Sequence, residues 1–382
     1  MHNTKIVFSL VSLIFILAAC SSSTAHSSTT VRSSSSMSVV AAAKQTLSQL
    51  TAMPKFTNPG PPIDAAKLKG DTVLVVSYDQ ADSALLAISQ GVQQAGAALG
   101  IHVEVLNASS TTTIAEQDIA EGVSQHVNAI ILDGAAANVL PVGLAAAKAA
   151  GIPVIGAVNG EPVAGVAGQG AGSDAFAEAS GSYAKDGELM ADTAIADSNG
   201  QPIKAVVETF DNPVATAVVN GIKHVFRGCS FCSIVNTETI EPAQWATQVT
   251  PTTANVIRSQ RGINWVFPVV DSMAPFAVAG VSQAGLANTV HVVTSDGSGS
   301  GPLGLVESGK LVADPGFSTK WVGWLAMDQA LRALSHMSPA NPVVPIRYLD
   351  KTNLQGLDLN SQAALYGDSY ITGFKKLWGI QG

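Results

Sequence analysis

From Thr72 onward, short runs rich in Val, Ile and Leu alternate with longer segments that close on glycine, and this alternation leaves few folds open. Thr72–Ser77 reads Thr-Val-Leu-Val-Val-Ser, apolar on both faces, as in a strand buried within a parallel sheet. A helix is predicted over Ser83–Leu99, stopped by Gly100. Strands at His102–Asn107, Ala129–Asp133 and Pro153–Val158 follow, separated by helices at Ile114–Gln125 and Ala137–Ala150. The pattern restarts at Phe176 with a helix to about Ala196. Strands are then predicted at Ala205–Glu208, Ser233–Asn236, Trp265–Val269 and His291–Thr294, with helices at Val214–Arg227, Ala243–Gln260 and Met273–Ala284 between them. A helix at Leu303–Ser308 leads into Leu311–Ala313, and an amphipathic helix covers Thr319–Leu334. Strand–helix–strand units with short turns specify parallel sheets covered on both faces. The fold class is therefore α/β, with two doubly wound parallel-sheet lobes, whose ligands sit beyond the carboxyl ends of the strands.

Composition narrows the partners. A net charge of −8 and a pI near 5.3 argue against a polyanionic partner such as nucleic acid, because no basic patch is available for phosphates. Hydrophobic residues make up 47% and charged residues 13%, the balance of a well-packed domain rather than a disordered chain. Upstream of the lobes, Pro54–Pro62 must be extended, and a weak helix is predicted over Ser38–Met53.

The chain begins with a basic residue, Lys5, an apolar stretch from Ile6 to Leu17, and Leu17-Ala18-Ala19-Cys20 before a Ser/Thr run. The apolar stretch is too short for a permanent membrane span. Small residues before a cysteine resemble the lipobox of bacterial lipoprotein precursors. The resemblance implies a signal peptide over 1–19, acylation of Cys20, and a location on the extracytoplasmic face of the cell membrane, or in the periplasm of a Gram-negative cell. Residues 20–37 then form a disordered tether and residues 38–68 an N-terminal extension. The remaining cysteines, Cys229 and Cys232, are spaced like a redox motif, half a zinc site or a turn-pinning disulfide. They follow a helix rather than open one, and no second ligand pair accompanies them; in an exported protein a surface disulfide is the simplest reading.

Several segments, taken in order, resemble the type I periplasmic solute-binding proteins of sugar ABC transporters, the ribose-binding-protein group. They are Val73–Ser77, Ala97-Ala98-Leu99-Gly100-Ile101, Asn128–Asp133, Ala145–Val154, Val270-Asp271-Ser272-Met273-Ala274, Thr294-Ser295-Asp296-Gly297-Ser298 and Gly309-Lys310-Leu311. The resemblance implies two lobes joined by three hinge crossovers. One comprises residues 69–175 plus about 318–345, the other 176–317 plus about 346–382. It implies a monomer that closes on a small sugar- or polyol-like solute and delivers it to ABC permease subunits. The Gly165–Gly172 cluster reads as the first crossover. No cofactor or metal is implied. The same cleft would equally serve a chemosensory receptor.

Loops after the strands supply the candidate ligand contacts: Asp79, Asp82, Asp133 and Asn159 in the first lobe, and Asp211, Asn212, Trp245, Asp271, Asp296 and Phe317 in the second or at its hinge. Carboxylates and amides suit polyols because each engages adjacent hydroxyls in pairs. Competing roles are plain for several of them. Asp79 and Asp82 are placed to cap the helix from Ser83, Asp271 to cap the helix at Met273, and Asp296 to fix the Gly297 turn. The chain departs from the ribose-type pattern where Ala84 and Leu85 replace stacking aromatics and where Asn159 and Thr216 stand near its two arginines. Val270 replaces its asparagine, and Phe317 its hinge glutamine. A less polar cleft, roomier at Ala84, is expected. No Gly-x-Ser-x-Gly elbow, His-Glu-x-x-His or phosphate loop occurs, which argues against an enzyme such as an extracytoplasmic hydrolase.

Overall fold

The computed structural model describes residues 27–162, 175–340 and 343–380. The signal segment, Cys20 and the Gly165–Gly172 cluster lie outside these residues. The first helix, α1, spans Ser27–Gln49 and so takes in part of the stretch expected to be tether. Its Val40, Ala43 and Leu47 are buried at helical spacing, and it lies along α5 (Tyr183–Ser198); this packing supports a helix that serine-rich sequence alone would not sustain.

The first sheet contains β1 (Thr72–Ser77), β2 (His102–Asn107), β3 (Ala129–Asp133), β4 (Val154–Ala157) and β5 (Ala177–Ala179) in the order β2-β1-β3-β4-β5, all parallel. Helices α2 (Ser83–Leu99), α3 (Thr112–Ser124) and α4 (Pro141–Ala149) connect its first four strands. β5 was predicted as the opening of a helix. Because β4 and β5 belong to one sheet, residues 158–176 connect two strands of the same lobe, and the crossover comes after β5.

The second sheet holds β6 (Ile203–Thr209), β7 (Cys232–Thr239), β8 (Trp265–Pro268) and β9 (His291–Val292) in the order β7-β6-β8-β9, again parallel. Helix α6 (Pro213–Arg227) links β6 to β7, a π-helical turn at Trp245–Val249 runs into α7 (Thr250–Ser259), and α8 (Ala274–Gln283) and α9 (Ser300–Glu307) follow. Cys229 and Cys232 form a disulfide across the turn before β7. The chain returns through β10 (Gly316–Phe317) to α10 (Thr319–Leu334), then forms β11 (Ile346–Arg347), antiparallel to β10, and α11 (Lys351–Leu354), α12 (Gln362–Tyr366) and α13 (Ser369–Leu377). Ser180 accepts from the Val344 N–H at 3.0 Å, so the segment after β5, β10 and β11 run side by side as three connections between the lobes.

Helix α10 is buried almost throughout, packed on α2 and on β4 and β5 of the first lobe. Its outer face is closed by the tail. Trp324 stacks on Trp378 with centroids 5.3 Å apart, and the Trp378 indole donates to Asp328 at 2.9 Å. Asp328 also pairs with the buried Arg332 at 2.8 Å, which leaves neither charge alone in the core. The tail was expected to end on the second lobe; α11 does contact α9, but α13 returns to the first because its Tyr370 and Phe374, with Trp378 just past its end, complete the aromatic cluster on α10. Phe56, in the proline-rich segment, packs edge-on against Phe374 at 5.0 Å.

Candidate functional site

Every parallel strand of either sheet ends at one cavity. Tyr78, Asp79 and Asp82 follow β1, Ser110 follows β2, Gly134 follows β3 and Val158 follows β4. Tyr183 follows β5, Phe210 and Asn212 follow β6, and Trp245 follows β7. Val270 and Ser272 follow β8, Asp296 and Ser298 follow β9, and Phe317 of β10 closes the back. The cavity holds about 330 Å³, and a second chamber of about 290 Å³ opens from it towards Asp271, Gly299 and Pro302. Asp82, Ala84, Ser272, Asp296 and Ser298 line both chambers. This is the place where doubly wound sheets collect their ligand contacts, here drawn from two sheets at once.

The walls are aromatic. Phe210 meets Trp245 edge-on at 5.3 Å, and the Trp245 indole donates to the Ile240 carbonyl at 2.8 Å, which fixes its plane. Across the hinge, Tyr183 meets Phe317 edge-on at 5.6 Å. The aromatics absent at Ala84 and Leu85 are thus replaced from other positions, so the cleft is less aromatic only at that loop. Tyr183 was hidden because residues 176–196 read as one helix. Phe210 adjoins the Asp211-Asn212 pair and carried the signal of an aromatic at a strand's end.

The candidate residues sort into three groups. Asp79, Asp82, Asn212, Trp245, Asp296 and Phe317 line the main cavity, and Asp271 lines the second chamber. Asp133, Asn159 and Asp211 line neither chamber. Asp133 lies within β3 and turns under the floor, accepting from Ser89 at 2.8 Å, while the Asn159 amide donates to the Leu132 carbonyl at 3.0 Å. Asp211 is exposed beyond the rim, with its backbone N–H bonded to Glu241.

Capping and lining coexist at two aspartates. One Asp82 oxygen accepts from the Ala84 and Leu85 N–H groups at 2.7 and 3.4 Å, capping α2. Asp79 accepts from the Ala81 N–H at 2.9 Å and from the Ser110 hydroxyl, and these bonds hold its carboxyl below the usual range. Asp271 does not cap the helix after it; one of its oxygens gathers the Ser298 N–H and hydroxyl and the Gly299 N–H at 2.8–3.1 Å. Nor does Asp296 tie down the Gly297 turn, since the Gly297 N–H donates to Asp314 at 3.0 Å. Among the described residues no protein group donates to the Asp296 carboxylate, which faces the cavity from a backbone at φ 109°. Val158, opposite, has φ 57°, a conformation costly for a β-branched residue.

Carboxyls crowd beneath this floor. Burial pushes Asp296 well above the usual carboxylate range, and Asp271, Asp186, Asp314 and Asp82 add to the shift by repulsion. Burial likewise raises Asp186, neither of whose oxygens meets a donor among the described residues. No group of three His, Cys, Asp or Glu side chains among those residues converges closely enough for a metal ion.

Glu208, at the end of β6, shows what such burial does to stability. Burial lifts its carboxyl from 4.5 to about 7, against a hydrogen bond from Thr253 and with repulsion from Glu238. A folded-state value above the unfolded one costs nothing at low pH; the cost accumulates as pH rises through that window. The Glu208→Gln variant should therefore gain stability relative to the parent between pH 5 and 8, by up to about 3 kcal/mol. Denaturant titrations at both pH values check this, and a pH-independent difference would refute it.

No curated protein matches the chain significantly. Among solved structures, an ABC transporter periplasmic solute-binding protein from Actinobacillus succinogenes 130z, with bound D-allose, superposes with a TM-score of 0.63 at 21% identity, covering 74% of this chain and 98% of its own. The Caulobacter myo-inositol binding protein, bound to myo-inositol, gives 0.63 at 21%, covering 74% and 94%. A glucose-galactose binding protein from Geobacillus stearothermophilus gives 0.66 at 15%, covering 75% and 99%. At these identities the likeness is one of fold, the type I periplasmic binding protein fold of two parallel-sheet lobes. Residues 69–337 match the family profile of the periplasmic binding protein domain, and the chain belongs to that family.

Proposed function

We infer that the protein is a non-enzymatic solute receptor that captures a small sugar- or polyol-like molecule between its lobes and delivers it to an ABC importer. The observation that carries this reading is a single cavity walled by the strand ends of both sheets, so that a ligand touching both lobes favours the closed state. The moving bodies are the first sheet with α2–α4, α10 and α13, and the second sheet with α5–α9. Similar folds hold D-allose and myo-inositol, solutes of suitable size for the main cavity. Thermal-shift screening of the full chain in detergent against sugars and polyols tests the reading. Stabilisation by a member of that class, saturable and one-to-one, is expected; catalytic turnover of the compound, or no response across the class, would overturn it.

Delivery requires the receptor to stay near its permease, and the Leu17-Ala18-Ala19-Cys20 sequence supplies an acylated anchor. No helix among the described residues is long and apolar enough to cross a membrane. Cys20→Ala should move the protein from the membrane fraction to the soluble extracytoplasmic fraction, while persistent membrane association would refute the lipid anchor.

A further inference from the structure

The cleft is rich in hydrogen-bond acceptors and poor in committed donors. Asp79, Asp82 and Asp296 line the main cavity and Asp271 the second chamber, yet among the described residues no Lys, Arg or His lines either. The sequence of the undescribed stretch, 163–174, contains no basic residue either. The one indole N–H in the wall, that of Trp245, is already spent on Ile240. A neutral polyol presents hydroxyls that accept as well as donate, and here the side-chain donors for its lone pairs are the Asn212 amide, hydroxyl groups of Ser, Thr and Tyr, and the Asp296 carboxyl while it holds its proton, none of them cationic. An ammonium group has three donors and no lone pair, the complement of this wall.

The two oxygen-rich positions where the chambers join are only partly used by the protein. Asp82 has one oxygen committed to the α2 cap, and Asp296 accepts from no protein donor among the described residues. The carboxyls are not gathered tightly enough for a metal ion, so a larger organic cation is the better match for charge spread around the cavity. Aromatic faces at Trp245, Phe210, Tyr183 and Phe317 also favour a cation with apolar surface beside it.

We propose that the solute is cationic: a sugar- or cyclitol-like molecule carrying a protonated amine, with the ammonium between Asp82 and Asp296 and the carbon skeleton against the aromatic walls. The proposal rests on the receptor function inferred above and specifies its ligand class. A proton should leave the protein on binding, because an ammonium stabilises the ionised form of Asp296 against its carboxyl neighbours Asp271, Asp186, Asp314 and Asp82, with Tyr183 also close.

The test is calorimetry on the full chain in detergent with matched pairs: glucosamine against glucose, galactosamine against galactose, and an inosamine against the parent inositol. At least one amine should bind about tenfold or more tightly than its neutral parent. Its apparent enthalpy should vary with the ionisation enthalpy of the buffer, reporting proton release. Asp82→Asn retains a helix-capping side chain and should fold; it should weaken the amine at least about tenfold more than its neutral parent and so erase most of the amine preference. Asp296→Asn should do the same and abolish the buffer dependence. Saturable binding in which neutral parents match or exceed their amines would overturn the cationic assignment and leave the receptor function standing. A cleft that binds neither member of any pair, and none of the sugars and polyols of the wider thermal-shift screen, would overturn both.

Discussion

Trp245→Ala is expected to weaken solute binding by about a hundredfold while leaving the unfolding temperature nearly unchanged. The indole is a platform held at three points: its N–H is bonded to Ile240, its ring makes a T-shaped contact with Phe210, and its backbone opens the π-helical turn that feeds α7. A ring so positioned before the ligand arrives costs little further ordering on binding, which is why large aromatics dominate binding energetics. It is only part-buried, so its removal opens the cavity without hollowing a core. Trp245→Phe should recover most of the affinity, because it restores an aromatic face and loses only the bond to Ile240. Titration of the two variants with any solute found to stabilise the parent decides the matter. Equal affinity in the alanine variant and the parent would remove Trp245 from the site.

The alternating strands and helices of both lobes were legible because their residues act locally: Val-rich runs pair in sheet centres, and helices end where glycine adopts a left-handed turn, as at Gly100 with φ 71°. What escaped were elements whose conformation is imposed from elsewhere. Ala177-Glu178-Ala179 favours a helix by propensity, yet pairing with β4 makes it a strand. β10 and β11 have two paired residues each, too few to leave any period in sequence. At the site, the rule that polar residues after strands face the ligand located the cleft but not the direction of each side chain. Asp133 is in the last position of β3 and points to Ser89 on α2; Asp296, after β9, points into the cavity. One-residue changes of parity decide between floor and wall, and no composition records them.

Gly187→Ala should lower the unfolding temperature by roughly 5–10 °C, although alanine is the better helix former. Each lobe receives its covering helix from across the hinge, α5 for the second and α10 for the first, and each seats that helix through glycine. A Cβ on Gly187 of α5 would stand 2.0 Å from the Val218 carbonyl oxygen of α6, and one on Gly221 of α6 would stand 2.0 Å from that of Ala184. In the first lobe, a Cβ on Gly91 of α2 would lie 2.4 Å from the Lys320 oxygen and one on Gly323 of α10 would lie 2.3 Å from the Ile88 oxygen. These obstacles are backbone, which no rotamer change can clear, so the helices must separate and lose packing along their whole contact. Gly304→Ala, on α9 with open space at its Cβ, is the control and should be neutral or stabilising by about 1 kcal/mol. The melting temperature of Gly187→Ala should therefore fall while that of Gly304→Ala holds or rises. Like shifts would mean that α5 and α6 are not in backbone contact. Because α5 follows the first crossover directly, a displaced α5 also shifts Tyr183 in its first turn, so Gly187→Ala should weaken solute binding even at temperatures where the chain remains folded.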